Sequence, residues 1–241
     1  MSGDRGTLEA LKRRCETEPV PGCCDPRGYD RTFNQRFARR SANRYRRHGL
    51  NKTARRIVEL VEEHGAQGYS VLEIGGGVGE IQVELLKRGA VHATNLELSS
   101  AYEREAERLL TESGMRNRVD RRIVDIAAAP DRVAPADVVV LNRVVCCYPD
   151  YAKLLGAAAD HARDRVVFSH PPRNLVSRTV VATQNLVLRL LRSEFRVFTH
   201  PPQAMLEVLA GRGLLTTRTS QALVWQVAAA HRSHPVPGTQ S

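Results

Sequence analysis

The stretch Val71-Leu72-Glu73-Ile74-Gly75-Gly76-Gly77-Val78-Gly79-Glu80 decides the fold. Its first four residues form a short, mostly apolar run that predicts a buried strand, and four of the next five residues are glycine. Glycine permits a tight strand-to-helix turn and lets a ligand approach bare backbone. The dinucleotide fingerprint G-x-G-x-x-G fits poorly, because its third glycine position is occupied by Glu80, an anion that would repel a pyrophosphate.

Strand and helix patterns alternate from residue 69 onward, with short connections between them. This alternation predicts an α/β protein with a Rossmann-like, doubly wound, mostly parallel sheet that a C-terminal antiparallel hairpin closes. Ligands of such sheets bind at the carboxyl ends of the strands. The predicted strands are 70–74, 91–98, 121–126, 136–142, 165–169, 214–220 and 223–229, and the predicted helices of this part are 80–87, 101–113, 151–162, 174–192 and 202–210.

The predicted organisation is a core over residues 67–231, preceded by an N-terminal arm and basic helical lid over 1–66 and followed by a flexible tail over 232–241. Residues 31–64 are predicted to be helical, with a break near Gly49. Between residues 31 and 56 there are ten Arg or Lys and no Asp or Glu, which accounts for the whole formal net charge of +10. This segment therefore invites an anionic partner.

The composition points to a cytoplasmic protein. No apolar run is long enough to cross a bilayer, and the first residues lack the apolar core and cleavage site of a secretory signal. Five cysteines in 241 residues, four of them in two adjacent pairs, do not form a disulfide framework. We therefore expect no transmembrane segment and a cytoplasmic location.

The spacing E-x-G-x-G-x-G in residues 73–79 resembles motif I of class I S-adenosylmethionine-dependent methyltransferases. The resemblance implies that S-adenosylmethionine is the cofactor. It also implies that Glu73 supports the site of the methionine part, and that Gly75, Gly77 and Gly79 pass under the adenosine.

Three polar residues at later strand ends continue the same pattern. Glu97 lies twenty residues after Gly77, where a carboxylate can accept hydrogen bonds from both ribose hydroxyls. Asp125, at the end of the third predicted strand, resembles the acidic residue that faces the adenine amino group. Asn142 ends the fourth predicted strand and opens the loop beside the reacting methyl group.

In layout the chain resembles the branch of this class that contains magnesium-protoporphyrin O-methyltransferases, and it departs from that branch at two positions. Cys147 stands where the branch has a histidine thought to be catalytic, and Cys23 or Cys24 stands near its N-terminal tyrosine. The resemblance therefore implies the layout and not porphyrin methylation. It rests on Gly28-Tyr29-Asp30-Arg31, Gly49-Leu50, residues 85–90, Tyr148-Pro149 and Pro172-Arg173.

Three residues are candidates for catalysis: Tyr29, Cys147 and His170. Tyr29 belongs to the stretch that matches the arm, which in that branch folds over the active site. His170 follows the fifth predicted strand, where a ligand should bind, although a surface histidine beside Pro171-Pro172 is an equal alternative.

The two cysteine pairs allow three interpretations. The thiols are small buried hydrophobes, or one of them acts as an acid or base with a pKa lowered by nearby arginines. Alternatively, Cys23, Cys24, Cys146 and Cys147 together hold a soft metal or metalloid. Adjacent pairs lack the C-x-x-C spacing of chelating turns, so no metal is otherwise expected.

We therefore predict a methyltransferase that acts on the oxygen or sulfur of a small molecule. An apolar or aromatic acceptor is favoured because residues 174–192 carry many apolar side chains, which either form a lid or belong to the core. The alternatives are a nucleic-acid methyltransferase that uses the basic segment, a thiol-coordinated metalloid methyltransferase, and a scaffold that binds the cofactor without turnover. Residues 142–145 lack the polar-Pro-Pro-aromatic motif that stacks a flipped base, which makes nucleic acid the weaker choice.

Overall fold

A seven-stranded sheet forms the centre of the computed structural model, which describes residues 28–63, 67–220 and 225–232. The strand order is β3-β2-β1-β4-β5-β7-β6, and β7 runs antiparallel to both of its neighbours while β1 to β5 are parallel. The predicted fold is confirmed, including the antiparallel C-terminal hairpin. The strands are β1 Ser70–Ile74, β2 His92–Glu97, β3 Val119–Ile123, β4 Ala136–Leu141, β5 Ala162–His170, β6 Leu214–Ser220 and β7 Gln226–Arg232.

Helices cover both faces of this sheet, because alternate residues of each central strand point to opposite sides. Val138 and Val140 of β4 pack into one buried cluster, whereas Val139 and Leu141 pack into the other. The helices are α1 Tyr29–Thr32, α2 Gln35–His48, α3 Lys52–Glu62, α4 Glu80–Lys87, α5 Glu103–Glu112, α6 Tyr151–Asp160, α7 Leu175–Leu190 and α8 Pro202–Ala210.

Five of the seven strands differ from their predicted bounds, and those of β3, β5 and β7 do so by three residues at one end or more. β3 ends at Ile123, because the backbone carbonyl of Asp125 accepts hydrogen bonds from the amides of Ala128 and Ala129 and so begins a turn. β7 runs three residues beyond its predicted end, to Arg232. The Arg232 guanidinium donates to the carbonyl oxygen of Ala162 at 2.8 Å, which ties this end of β7 to the core.

The basic N-terminal segment packs onto the sheet layer as two helices. Each begins at an asparagine whose side chain accepts backbone amide hydrogens, Asn34 for α2 and Asn51 for α3. The predicted break is at Gly49, which ends α2 with a φ of 66°. Ala38 and Ala42 of α2 are fully buried, so this helix is anchored by its small residues while its arginines face outward or toward a cavity described below.

Helix α7 corrects one expectation, because its apolar side chains form neither a core nor a lid. No residue of α7 is buried, and none lines the cavity described below, although several line a second, open groove together with Phe198 and His200. The large side chains point away from the protein, and Leu175 is 79% exposed. Among the described residues, no helix has both the length and the apolar character required to span a bilayer.

Candidate active site

The glycine turn after β1 borders a cavity of ≈ 270 Å³. The cavity lies at the carboxyl ends of the neighbouring strands β1 and β4, between which the strand order reverses. Gly75, Gly77 and Gly79 have φ values of 64°, 57° and 86°, a region that other residues rarely adopt. Gly76 passes so close to Asn95 and to the Glu73 carboxyl that a Cβ atom there would overlap both. The turn therefore requires glycine for its conformation and for its packing.

Glu73 lies beneath this turn and is only 2% exposed. Its carboxylate accepts a hydrogen bond from the backbone amide of Gln82 at 3.3 Å, at the start of α4. Burial raises the pKa of Glu73 well above its usual range, and the neighbouring charge of Glu80 raises it further. Glu73 thus supports the turn from within and lines the cavity wall.

Glu97 ends β2 with its carboxylate held in the cavity wall by backbone amides. Gly77 donates to Oε1 at 2.6 Å and Leu98 donates to Oε2 at 3.0 Å. Burial raises the pKa of Glu97, although these two hydrogen bonds oppose the effect. A carboxylate has further lone pairs, so Glu97 can also accept hydrogen bonds from a diol.

Asp125 follows β3 and is oriented by a tyrosine that the sequence did not single out for the site. The Tyr148 hydroxyl donates to Oδ2 of Asp125 at 3.0 Å, and the Ala127 amide donates to Oδ1 at 3.1 Å. His200 donates from Nε2 to the carbonyl oxygen of Tyr148 at 3.0 Å. In the sequence, the Tyr148-Pro149 pair only contributes to the resemblance to the magnesium-protoporphyrin O-methyltransferase branch. No sequence signal joins Tyr148 to Asp125, which is 23 residues away.

Asn142 follows β4, and a serine of β5 holds it in the cavity wall. The Ser169 hydroxyl donates to Oδ1 of Asn142 at 3.1 Å and accepts from the Arg143 amide at 2.8 Å. Arg143 has a φ of 60°, which is unusual for a residue with a side chain. Its guanidinium lies 4.9 Å from the centre of the Trp225 ring, and its Nε is buried without a hydrogen-bond partner.

Three charged residues cluster at one part of the cavity: Arg44, Glu80 and Arg143. Burial lowers the pKa of Arg143, and the charge of Arg44 lowers it further. Burial raises the pKa of Glu80, while both arginines oppose that shift. Two cations therefore share one carboxylate, and the arrangement leaves positive charge for an anionic group of a ligand.

Tyr29 and Cys147, two of the predicted catalytic residues, meet at the cavity. The Tyr29 hydroxyl donates to the carbonyl oxygen of Cys147 at 3.0 Å. The Cys147 Sγ lies 3.6 Å from the Cys146 Sγ, and this contact together with burial raises the pKa of Cys147 well above its usual range. The Cys147 thiol is therefore protonated at neutral pH.

The remaining predicted residues lie apart from this pair. His170 ends β5, and the described residues that line the cavity do not include it. Burial lowers the pKa of His170, and its Nδ1 donates to the carbonyl oxygen of Pro171 at 3.1 Å. Cys23 and Cys24 lie outside the described residues, so the meeting of the two cysteine pairs stays a prediction.

A row of aromatic side chains lines the same cavity as the glycine turn. The row runs from Tyr29 to Phe33 and Phe37, whose ring centres are 6.3 and 5.6 Å apart in turn, and it reaches Tyr102 at 6.4 Å from Phe37. Six of the twelve Phe, Tyr and Trp residues of the chain line this one cavity. They are Tyr29, Phe33, Phe37, Tyr45, Tyr102 and Tyr148.

A glycine turn at the switch in strand order, with carboxylates at the next two strand ends, is the layout of a nucleoside-binding crevice. A family model described as a methyltransferase domain matches residues 43–221. The chain belongs to the methyltransferase domain family. It is a transferase with the class I fold, and the family uses S-adenosylmethionine as its methyl donor. No curated protein matches the sequence.

Solved structures confirm the fold of this methyltransferase. Magnesium protoporphyrin IX methyltransferase from Synechocystis PCC 6803, with bound S-adenosylhomocysteine, is 19% identical with a TM-score of 0.60, over 94% of this chain and 95% of that one. An O-methyltransferase family protein from Burkholderia thailandensis is 16% identical with a TM-score of 0.65, over 95% and 70%. An O-methyltransferase family 2 protein from Planctomyces limnophilus, in complex with apigenin, is 18% identical with a TM-score of 0.62, over 81% and 62%.

Proposed function

We propose that this methyltransferase transfers a methyl group from S-adenosylmethionine to an oxygen or sulfur atom of a small aromatic or apolar acceptor. The observation that carries the proposal is the set of six aromatic side chains that line the same cavity as the glycine turn. Aromatic side chains bind flat apolar molecules through large contact areas and edge or stacking geometry. The N-terminal segment supplies four of the six aromatic residues that line the cavity, which supports its assignment as an arm and lid over residues 1–66 before a core over 67–231.

The cavity residues fit the parts of the cofactor one by one. Glu97 would accept from the ribose hydroxyls, and Asp125, oriented by Tyr148, would accept from the adenine amino group. Arg44 and Arg143 would hold the carboxylate of the methionine part, since they share a single protein carboxylate. Asn142 and the turn of Gly75, Gly77 and Gly79 complete the predicted cofactor set, with Glu73 beneath the turn.

The cofactor supplies a methyl group on a positively charged sulfonium, so the main tasks of the protein are alignment and exclusion of water. The aromatic row serves the second task by covering the crevice. A base is required only when the acceptor must lose a proton. We propose Tyr29 and Cys147 as the residues beside the reacting atom, because both line the cavity and are hydrogen-bonded to each other.

Because the Cys147 thiol is protonated, it cannot be the base that removes a proton from the acceptor. A thiol whose pKa is raised cannot take a proton at neutral pH, and it can only donate a hydrogen bond. His170 remains a predicted base without contact to the described cavity wall. We therefore propose acceptors that ionise without help, such as acidic phenols, carboxylic acids and thiols.

Nucleic acid is the weaker candidate, for a structural reason. Phe33, Phe37 and Tyr45, the aromatic residues of the basic run, all line the cavity, and only Phe37, which is 45% exposed, also offers its ring to solvent for the stacking of a base. Arg46 of this run is paired with Glu112, with Nε and Oε2 2.7 Å apart. Two proteins of similar fold are associated with small molecules: one is a magnesium protoporphyrin IX methyltransferase, and the other is an O-methyltransferase family 2 protein in complex with apigenin. A cytoplasmic location remains part of this proposal.

The proposal is tested by incubating the protein with methyl-labelled S-adenosylmethionine and matched acceptor pairs. The pairs are aromatic phenols, thiols and carboxylic acids, each beside its neutral ether, thioether or amide, with RNA and arsenite as separate arms. We expect label in the ionisable aromatic acceptors, and a lower kcat with unchanged cofactor affinity in Tyr29→Phe. Label in RNA or in methylated arsenic, or none in any aromatic acceptor, would overturn the proposal.

A further inference from the structure

Helix α7 presents its apolar side to solvent and its more polar side to the protein. The half-buried residues Ser177, Val181, Asn185 and Leu188 recur at helical spacing and face inward. The opposite side carries large apolar side chains, which reach 74% exposure at Leu190. The exposed set is Leu175, Val176, Val180, Leu186, Val187, Leu190 and Leu191.

The exposure of these side chains is unusual, because burial of one large apolar side chain stabilises a protein by about 1.5–3 kcal/mol. Six of them on α7, with Leu191 directly after it, leave a large apolar surface in solvent, which marks a place where another surface binds. The patch is ordered, since the Asn185 side chain donates to the Val197 carbonyl at 2.8 Å and accepts from the Val197 amide at 2.9 Å.

The charges around the patch identify the partner. Residues 171–193 contain four arginines and no Asp or Glu. A second copy of this chain would bring the same four positive charges against them, which disfavours a dimer through this face. An anionic lipid surface attracts the arginines and accepts the apolar side chains, and a helix of this pattern binds in the plane of such a surface. The arginines are Arg173, Arg178, Arg189 and Arg192.

We propose that α7 docks this methyltransferase on an anionic lipid surface, with its apolar side inserted at the level of the headgroups. The chain that follows α7 reaches the loop that carries Cys147 into the cavity wall, because the Phe198 amide donates to the Cys146 carbonyl at 2.7 Å. An apolar acceptor dissolved in the lipid would therefore enter from the adjacent surface. This last step rests on the proposed function, whereas lipid binding does not.

The test is sedimentation of the full chain with vesicles of phosphatidylcholine alone and of phosphatidylcholine mixed with phosphatidylglycerol. We expect binding to the mixed vesicles, weakened by salt. The double variant Leu186→Gln, Leu190→Gln should bind at least about tenfold more weakly, because two side chains no longer partition into lipid. Leu215→Gln is the matched control, since Leu215 is exposed on β6, and should bind like the wild type.

Three results would overturn the docking proposal. The first is equal sedimentation of the double variant and the wild type. The second is a dimer in sedimentation equilibrium that the double variant dissociates, which would assign the patch to a second copy. The third is vesicle binding only after removal of residues 1–27, which would assign the patch to this segment of the same chain; Gly28 lies beside Phe195, just after α7. Loss of S-adenosylhomocysteine binding bears on the proposed function alone.

Discussion

The turns that follow β1 and β4 both line the cavity and pack against each other, since a Cβ atom at Gly75 would overlap the Val144 side chain, but they are built in different ways. The β1 turn, residues 75–79, takes its shape from the φ values of its own glycines and from the adjacent end of β2. The β4 turn, residues 142–148, is held by side chains and backbone from distant segments. Ser169 fixes its start, Tyr29 its middle and His200 its end.

The two turns differ in what fixes their conformation. The glycine turn depends on the φ values of its own residues, to which Glu97 and Arg121 add hydrogen bonds at Gly77. The β4 turn depends on contacts between residues far apart in sequence, such as the hydrogen bond between Tyr29 and Cys147 over 118 positions. Substitutions in the two turns should therefore have different consequences.

The largest expected effect is that of Gly77→Arg in the β1 turn. A Cβ atom at residue 77 points toward the Tyr102 ring, and the long side chain would fill the cavity. We expect S-adenosylhomocysteine affinity to fall by more than about 100-fold, which corresponds to about 2.7 kcal/mol. The measurement is calorimetric titration. Gly114→Arg is the control, because Gly114 has a similar φ of 70° with no neighbour in reach, and its affinity should match the wild type.

A smaller effect is expected from Tyr148→Phe in the β4 turn. The change removes the hydroxyl that orients Asp125 and leaves the ring in place. Loss of a hydrogen bond to a charged group costs about 1.5–3 kcal/mol, so cofactor affinity should fall about tenfold or somewhat more. Tyr151→Phe tests the same chemistry on a neighbouring tyrosine whose ring packs against His200. Equal affinities in the two variants would show that Asp125 does not need this support.

The smallest expected effect is that of Glu73→Gln, beneath the β1 turn, on the pH dependence of the free energy of unfolding. The folded-state pKa of Glu73 is raised, mainly by burial, so its stabilising contribution is present at low pH and is lost as pH rises through the folded pKa. Glu73→Gln cannot titrate. Its free energy of unfolding relative to the wild type should therefore rise by about 1–2 kcal/mol from acidic to neutral pH in denaturant titrations.

Glu84→Gln is the control for that measurement, because its stability relative to the wild type should change with pH in the opposite direction. Burial pushes the pKa of Glu84 upward, but hydrogen bonds from Tyr45 and Lys87 outweigh it and lower the pKa. The Glu84 carboxylate therefore contributes stability at neutral pH that is lost on acidification, and its variant should lose stability relative to the wild type as pH rises. Parallel pH profiles for the two variants would contradict the account of Glu73.

The sequence predicted the features that depend on local pattern. β1, α4 and α8 have the predicted bounds, because apolar periodicity and glycine or proline punctuation mark both ends of each. The cofactor residues Glu73, Glu97, Asp125 and Asn142 all line the cavity, since parallel strands bring their carboxyl ends to one edge. Their roles as ligands of the cofactor remain predictions.

The features that the sequence did not predict depend on partners elsewhere in the chain. Tyr148 reaches Asp125 across 23 positions, and the aromatic row joins α1 and α2 to Tyr102. The apolar residues of α7 were expected in a lid or in the core, because hydrophobicity alone does not say which side of a helix the protein covers. Only the packing of Val181 and Leu188 shows that the apolar side faces outward.

The central claim is that the crevice beside the β1 turn binds S-adenosylmethionine through Glu97. Calorimetric titration of the wild type and of Glu97→Ala with S-adenosylmethionine and S-adenosylhomocysteine tests it most directly, with Glu112→Ala as an exposed control. We expect saturable binding of both compounds to the wild type and to the Glu112→Ala control. We also expect a loss of at least about tenfold in Glu97→Ala, because the ribose hydroxyls lose a charged acceptor. No saturable binding to the wild type, or equal affinity in Glu97→Ala, would contradict the claim.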